Sequence, residues 1–164
     1  MRAVVQRARA ARVEVEGEVV GAIAHGLVCF VGAEEGDLDA DVQWVAKKVV
    51  DLRIFHEELG EPPAVALAGE EPRSSPKMSR SVLDVGGGLL LVSQFTLFGD
   101  VSRGNRPSFT RAMAPEAARL TFDSFVAAVR ARAPEVATGR FAADMRVFVE
   151  NDGPVTILLD SRTR

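Results

Sequence analysis

Arg12-Val13-Glu14-Val15-Glu16-Gly17-Glu18-Val19 alternates charged and apolar residues along one short stretch. Successive side chains of a strand point to opposite faces, so Val13 and Val15 face a core while Arg12, Glu14 and Glu16 face water. Glu16-Gly17 reads as a hairpin turn, because glycine tolerates positive φ. Upstream, Met1 to Arg7 reads as a strand that Arg12 to Val19 continues. Downstream, Gly26 to Gly32 reads as a more fully buried strand. The opening is therefore a strand-rich meander rather than a βαβ unit.

Working outward, Asp37 is placed to cap a helix in which Leu38, Val42, Val45, Val49 and Leu52 recur at helical spacing. Pro62, Pro63, Pro72 and Pro76 then stand among acidic residues, which makes 61–76 a surface insertion rather than a linker. A central strand follows the glycines at 86–88 and runs from Gly88 to Leu97. Pro115 suits the first turn of a second helix with Leu120, Phe122, Phe125, Val126 and Val129 on its apolar face, and Pro134 marks its end. Arg146 to Glu150 and Val155 to Leu159 read as two last strands separated by Asn151-Asp152-Gly153-Pro154. The expectation is one compact α+β domain over 1–164. Its sheet is mostly antiparallel or mixed, or barrel-like, and packs with two main helices.

The 164 residues are 47% hydrophobic, enough to bury a substantial core. No apolar run approaches the roughly 18 residues that span a bilayer, and the arginine-dense start lacks the pattern of a signal peptide, so a soluble cytoplasmic protein is expected. Cys29 is the single cysteine, which excludes an internal disulfide and reads as a buried thiol. His25 and His56 lie far apart outside any ligand-spaced motif, so no metal is expected. The net charge of −3 does not by itself point to nucleic acid. Arginine nevertheless outnumbers lysine seventeen to three, with clusters at Arg2, Arg7, Arg9 and Arg12 and at Arg103, Arg106 and Arg111. Such clusters suit phosphate, or else simply solvate a strand face.

Two polar segments hold candidate chemistry. Ser93-Gln94-Phe95-Thr96 ends an apolar strand, with Ser93 and Phe95 on one face and Gln94 and Thr96 on the other. It either presents hydroxyls, an amide and backbone N–H groups to a ligand or merely terminates the strand. Asn151-Asp152-Gly153-Pro154 reads as a hairpin turn or as a rigid carbonyl-presenting element, and an X–Pro bond pays little for cis. Nucleophile elbow, Walker A loop and zinc-helix motifs are absent. A Ser93–His–Asp arrangement would need tertiary folding to assemble it.

Around these segments the chain resembles the D-aminoacyl-tRNA deacylase family over nearly its whole length. The resemblance lies in Val5-Gln6-Arg7, Asp84-Val85-Gly86-Gly87, Leu91-Val92-Ser93-Gln94-Phe95-Thr96-Leu97 and Arg106-Pro107-Ser108-Phe109. Thr138-Gly139-Arg140-Phe141 through Met145 and Asn151-Asp152-Gly153-Pro154-Val155-Thr156 complete it. It implies a deacylase-like fold and hydrolysis of the ester between a D-amino acid and the 3′-terminal adenosine of tRNA. Ser93, Gln94, Phe95 and Thr96 would form the reacting centre. Gly153-Pro154 would be a cis element, held by Arg7 and projected across a homodimer interface to reject L-amino acids. Phe141, Ala142, Met145 and Asn151 would lie near the substrate, and Arg103 and Arg106 would meet tRNA phosphates. No cofactor is implied, and the adenosine 2′-hydroxyl would help activate water.

One departure stands out. Lys77-Met78-Ser79-Arg80 occupies the place of a Gly-Lys-Met-Asn-like run, so Ser79 replaces an asparagine. Competing readings are a relaxed editor of glycyl- or L-alanyl-tRNA, a noncatalytic RNA-binding module and a general serine esterase.

Overall fold

The computed structural model describes residues 1–57 and 77–164, so the expected insertion at 61–76 lies outside the described residues. β1 (Arg2–Val15) is one continuous strand rather than two pieces, and β2 (Glu18–Ile23) returns against its C-terminal half. Glu16 and Gly17 adopt φ of 53° and 86°, the positive pair that a tight hairpin turn requires. β3 (Gly26–Gly32) pairs antiparallel with the N-terminal half of β1.

After α1 (Asp39–Asp51) come the short antiparallel strands β4 (Phe55–His56) and β5 (Met78–Arg80). β6 (Gly88–Ser93) lies parallel to β3, and α2 (Pro115–Arg130) leads to β7 (Val136–Thr138), parallel to β6. β8 (Arg146–Asp160) pairs with β1 along nearly its full length. The main sheet thus runs β2-β1-β3-β6-β7, with β8 also on β1. It curls until Gly21 of β2 meets β7, where an added Cβ would sit 2.5 Å from the Thr138 carbonyl oxygen. The result is the expected α+β fold, with a nearly closed, barrel-like mixed sheet and two main helices.

Alternation along the strands builds two cores. Leu89 and Leu91 join Leu27, Cys29, Val31, Val45, Phe125 and Val129 between sheet and helices, while Leu90 and Val92 join Val13, Ile23 and Val28 inside the curl. Burial in the first core pushes the Cys29 thiol far up, so it stays protonated. β1 serves both cores: Ala3 and Val5 face the helices, whereas Ala11 and Val13 face the barrel interior. Odd-numbered residues can change sides because pairing with β8 slips between Gln6 and Ala8 and again between Ala8 and Ala10.

Several local expectations change. Asp37 does not cap α1. The N-cap is Leu38, whose N–H donates to Asp41 Oδ2 at 2.9 Å, while Asp37 accepts from the Met1 ammonium at 2.6 Å. That backbone hydrogen bond is the leading reason why the buried Asp41 carboxyl lies below its ordinary range. Leu38 and Leu120 are 68% and 70% exposed, so each helix buries a narrower stripe than its spacing suggests. The central strand stops at Ser93, and Phe95–Phe98 form a 3-10 turn. The two last strands are one strand, so the segment after Asn151 forms a bulge over 152–155 within it instead of a hairpin turn.

Candidate active site

The end of β6 fixes one wall of the site. Gln94 N–H donates to the Val31 carbonyl at 2.8 Å, after which the chain leaves the sheet and enters the 3-10 turn. The backbone N–H groups of Phe95 and Thr96 open that turn and have no hydrogen-bond partner among the described residues. The Ser93 hydroxyl is likewise unpaired there, while the Gln94 amide donates to the Thr96 hydroxyl. Strict strand alternation would separate Ser93 and Phe95 from Gln94. The turn instead brings all three to one cavity of about 640 Å³.

Phe141, Ala142 and Met145 form a facing part of that cavity. Ala142 sits at φ 60°, an uncommon conformation for a residue with a Cβ, and a bond from Ala143 N–H to the Arg140 carbonyl closes the turn around it. Phe109, Ala112, Met113, Phe122 and the side of Met1 complete an apolar surround that the sequence motifs did not single out as a group. A usable signal was present for Phe109, which belongs to Arg106-Pro107-Ser108-Phe109. None marked Ala112 or Met113.

Neither histidine lines the cavity, and His25 Nε2 instead lies 3.2 Å from the Val85 carbonyl oxygen. Ser79 is on β5, away from the cavity lining, and its buried hydroxyl has no partner among the described residues. No group of three or more His, Cys, Asp or Glu side chains among the described residues is arranged to hold a metal. No helix there is long and apolar enough to cross a membrane.

Arg7, Asn151, Gly153 and Pro154 are assembled with one another, apart from this cavity. Opposite the single residue Arg7, β8 accommodates residues 152–155 between the pairs Ala8–Asn151 and Gln6–Thr156. The buried Arg7 guanidinium donates to the Ile54 carbonyl at 2.5 Å and places Nε 2.8 Å from Asp152 Oδ2. The second contact is an ion pair rather than an aligned hydrogen bond. Arg9 reaches the other Asp152 oxygen at 3.1 Å. Asn151 Nδ2 donates to the Arg7 and Val155 carbonyls at 2.9 and 3.2 Å, closing the bulge from within. The Gly153–Pro154 peptide at its tip is cis, and both residues are exposed.

Arg103 and Arg106 occupy the loop between the 3-10 turn and α2, and both are exposed. They form no ion pair among the described residues. Asp100 anchors the start of the loop: its carboxylate accepts from Ser102 N–H at 2.8 Å, the leading reason its pKa is depressed.

The family described as D-Tyr-tRNA(Tyr) deacylase matches residues 4–160. The chain is 60% identical over 163 residues to a D-aminoacyl-tRNA deacylase of Sorangium cellulosum, covering 99% of this chain and 98% of that protein. It is 52% identical over 159 residues to the D-aminoacyl-tRNA deacylase of Variovorax paradoxus, with 97% and 98% covered. Among solved structures, the c-Myc DNA Unwinding Element Binding Protein superposes with a TM-score of 0.84 at 36% identity, covering 98% of each chain. With the matched sequence and the fold in agreement, this chain belongs to the D-aminoacyl-tRNA deacylase family, and its general activity is hydrolytic D-aminoacyl-tRNA deacylation.

Proposed function

We propose that this protein removes D-amino acids from mischarged tRNA and spares the L-aminoacyl form, with the acyl ester seated against Ser93–Thr96. One observation carries the reading. Ser93, with a free hydroxyl, and Phe95, with an unpaired N–H, line an apolar cavity at the end of β6, and the unpaired N–H of Thr96 follows in the same turn just outside that lining. Donors fixed before reaction stabilise the oxyanion that forms when water attacks an ester carbonyl. Gln94 fixes the Thr96 hydroxyl, and no basic side chain is hydrogen-bonded to that oxygen among the described residues, which supports attack by water over a covalent threonine. The adenosine 2′-hydroxyl of the substrate helps to activate that water.

Gly153–Pro154 supplies the chiral barrier from a second copy of the chain. It is exposed, braced by Arg7, Asp152 and Asn151, and absent from the lining of its own chain's cavity, as an element directed at a partner's site would be. Arg103 and Arg106 meet acceptor-stem phosphates, giving salt-dependent affinity without base reading. The setting is cytoplasmic translation quality control.

The test compares purified protein on matched D- and L-aminoacyl-tRNA, with glycyl-tRNA as a third substrate. Release of the D-amino acid with the L form intact supports the reading. Equal cleavage of L-alanyl-tRNA indicates a relaxed editor, and binding of charged tRNA without turnover indicates an RNA-binding module. Turnover of small activated esters with a covalent serine adduct would replace the mechanism with that of a general esterase.

A further inference from the structure

We propose that Glu34 is a positioning residue for the reaction: through Arg111 it holds residues 109–115 as the outer wall of the cavity. The inference rests on the assignment of Ser93–Thr96 as the reacting centre. Residues 99–114 contain only isolated β-bridges, Asp100 with Ser108 and Glu34 with Ala112, so the wall has little secondary structure of its own. Two backbone bonds tie it to the end of β3, from Met113 N–H to the Ala33 carbonyl and from Glu35 N–H to the Arg111 carbonyl, each 3.1 Å.

The third tie is ionic. Arg111 Nε donates to Glu34 Oε1 at 2.7 Å, and Nη2 approaches the same oxygen at 2.5 Å. The Arg111 side chain is about half exposed, but Glu34 is only 8% exposed, and a buried carboxylate is costly unless it is paired, so the carboxylate end of this contact differs from an incidental surface pair. Further cations back the arrangement from behind. Arg162 Nε stands 3.8 Å from Glu34 Oε2, and its Nη2 is 3.3 Å from Asp37. Asp37 in turn accepts from the Glu34 backbone N–H at 2.7 Å and from the Met1 ammonium.

The inner side of the same wall reaches the chemistry. Phe109, Ala112 and Met113 line the cavity, and the Phe109 and Phe95 rings pack in a T-shaped arrangement with centroids 5.1 Å apart. Phe95 supplies one of the unpaired N–H donors. A carboxylate outside the cavity therefore sets both its width and the seat of an oxyanion donor. Small displacements of positioned groups carry large kinetic cost.

Glu34→Gln removes the charge and keeps the shape. With D-aminoacyl-tRNA, KM is expected to rise about fivefold or more because the wall binds substrate in ground and transition states alike, and kcat is expected to fall as well because the displaced Phe95 donor acts in the transition state. Glu34→Asp should recover part of the loss. The double variant Glu34→Gln/Arg111→Gln should be no worse than the poorer single variant, as expected for two groups acting as one unit. Amide hydrogen exchange should quicken at both 107–114 and 94–99 in Glu34→Gln. A merely structural role would lower the active fraction and hence apparent kcat, leaving KM unchanged. That result, additive single-variant losses, or wild-type exchange at 94–99 would overturn the proposal. Absence of D-selective turnover in the wild-type protein would instead refute the deacylase specificity, while the exchange comparison would still test the tie between Glu34 and Phe95.

Discussion

Arg7 shows how one side chain can organise a segment almost 150 positions away in sequence. The whole residue is 3% exposed, and Asp152 is the carboxylate partner of its guanidinium. Replacing Asp152 by Asn would leave a buried cation with carbonyl contacts alone. Because Asp152 is partly solvated, the expected loss is about 2 kcal/mol, below the usual range for a fully buried pair, and urea denaturation would measure it. An unchanged unfolding midpoint would mean that Arg7 is held by Ile54 alone. Gly153 has a separate constraint. At φ 117°, a Cβ would lie 2.8 Å from the Val155 side chain and 3.1 Å from Arg7 Nη2. Gly153→Ala should therefore shift the tip of the bulge, and D-aminoacyl-tRNA turnover is expected to fall by about tenfold to a hundredfold, since a misplacement near 1 Å can cost about a hundredfold. Retention of full turnover and enantioselectivity would separate the tip from the reaction.

Secondary elements were readable where a repeating pattern decided them and misread where a single contact intervened. Valine alternation placed Val13 and Val15 inside correctly, and both are buried. Helical spacing located α1 and α2 but overstated their buried faces, since no element among the described residues covers Leu38 or Leu120. The N-terminus of α1 turns on Asp41 instead of Asp37 because Asp37 is engaged by the chain's own ammonium. Asp41 titrates below its ordinary 3.8 when folded. Its ionised form therefore stabilises the fold above that value, and the contribution is lost as pH falls through the folded pKa. Asp41→Asn should lower stability near neutral pH and flatten the decline below about pH 4. Unfolding midpoints across that window would check it, and parallel acid profiles for the two proteins would refute it.

At the scale of the whole molecule, the curl of the sheet closes at one tight seam. Gly21 permits β2 to approach β7, with no room for a Cβ against the Thr138 carbonyl. Gly21→Val should force that seam apart and cost about 1–3 kcal/mol, the usual range for overpacking. Thermal melting would register it, and a change below about 0.5 kcal/mol would show the seam to be slack. β1 serves two cores across that curl, and its register with β8 slips where Arg7 enters. The outer wall at 109–115 depends on an ion pair between residues 77 positions apart, Glu34 and Arg111. Nothing in local spacing announces such a pairing.

By itself the sequence determined the strand-rich opening, both helices, the α+β class and the polar character of Ser93–Thr96. These follow from periodicities of hydrophobic burial, which each segment states for itself, and the family motifs carried the reaction class. Tertiary structure alone decided that Ser93, Gln94 and Phe95 share one cavity, because the strand ends at Ser93 and a 3-10 turn re-aims the residues after it. It also decided that Asn151-Asp152-Gly153-Pro154 leads into a braced bulge within one long strand. The physical reason is the same in both places. A turn and a bulge have similar local composition, and they are distinguished by which distant strand supplies the backbone partners.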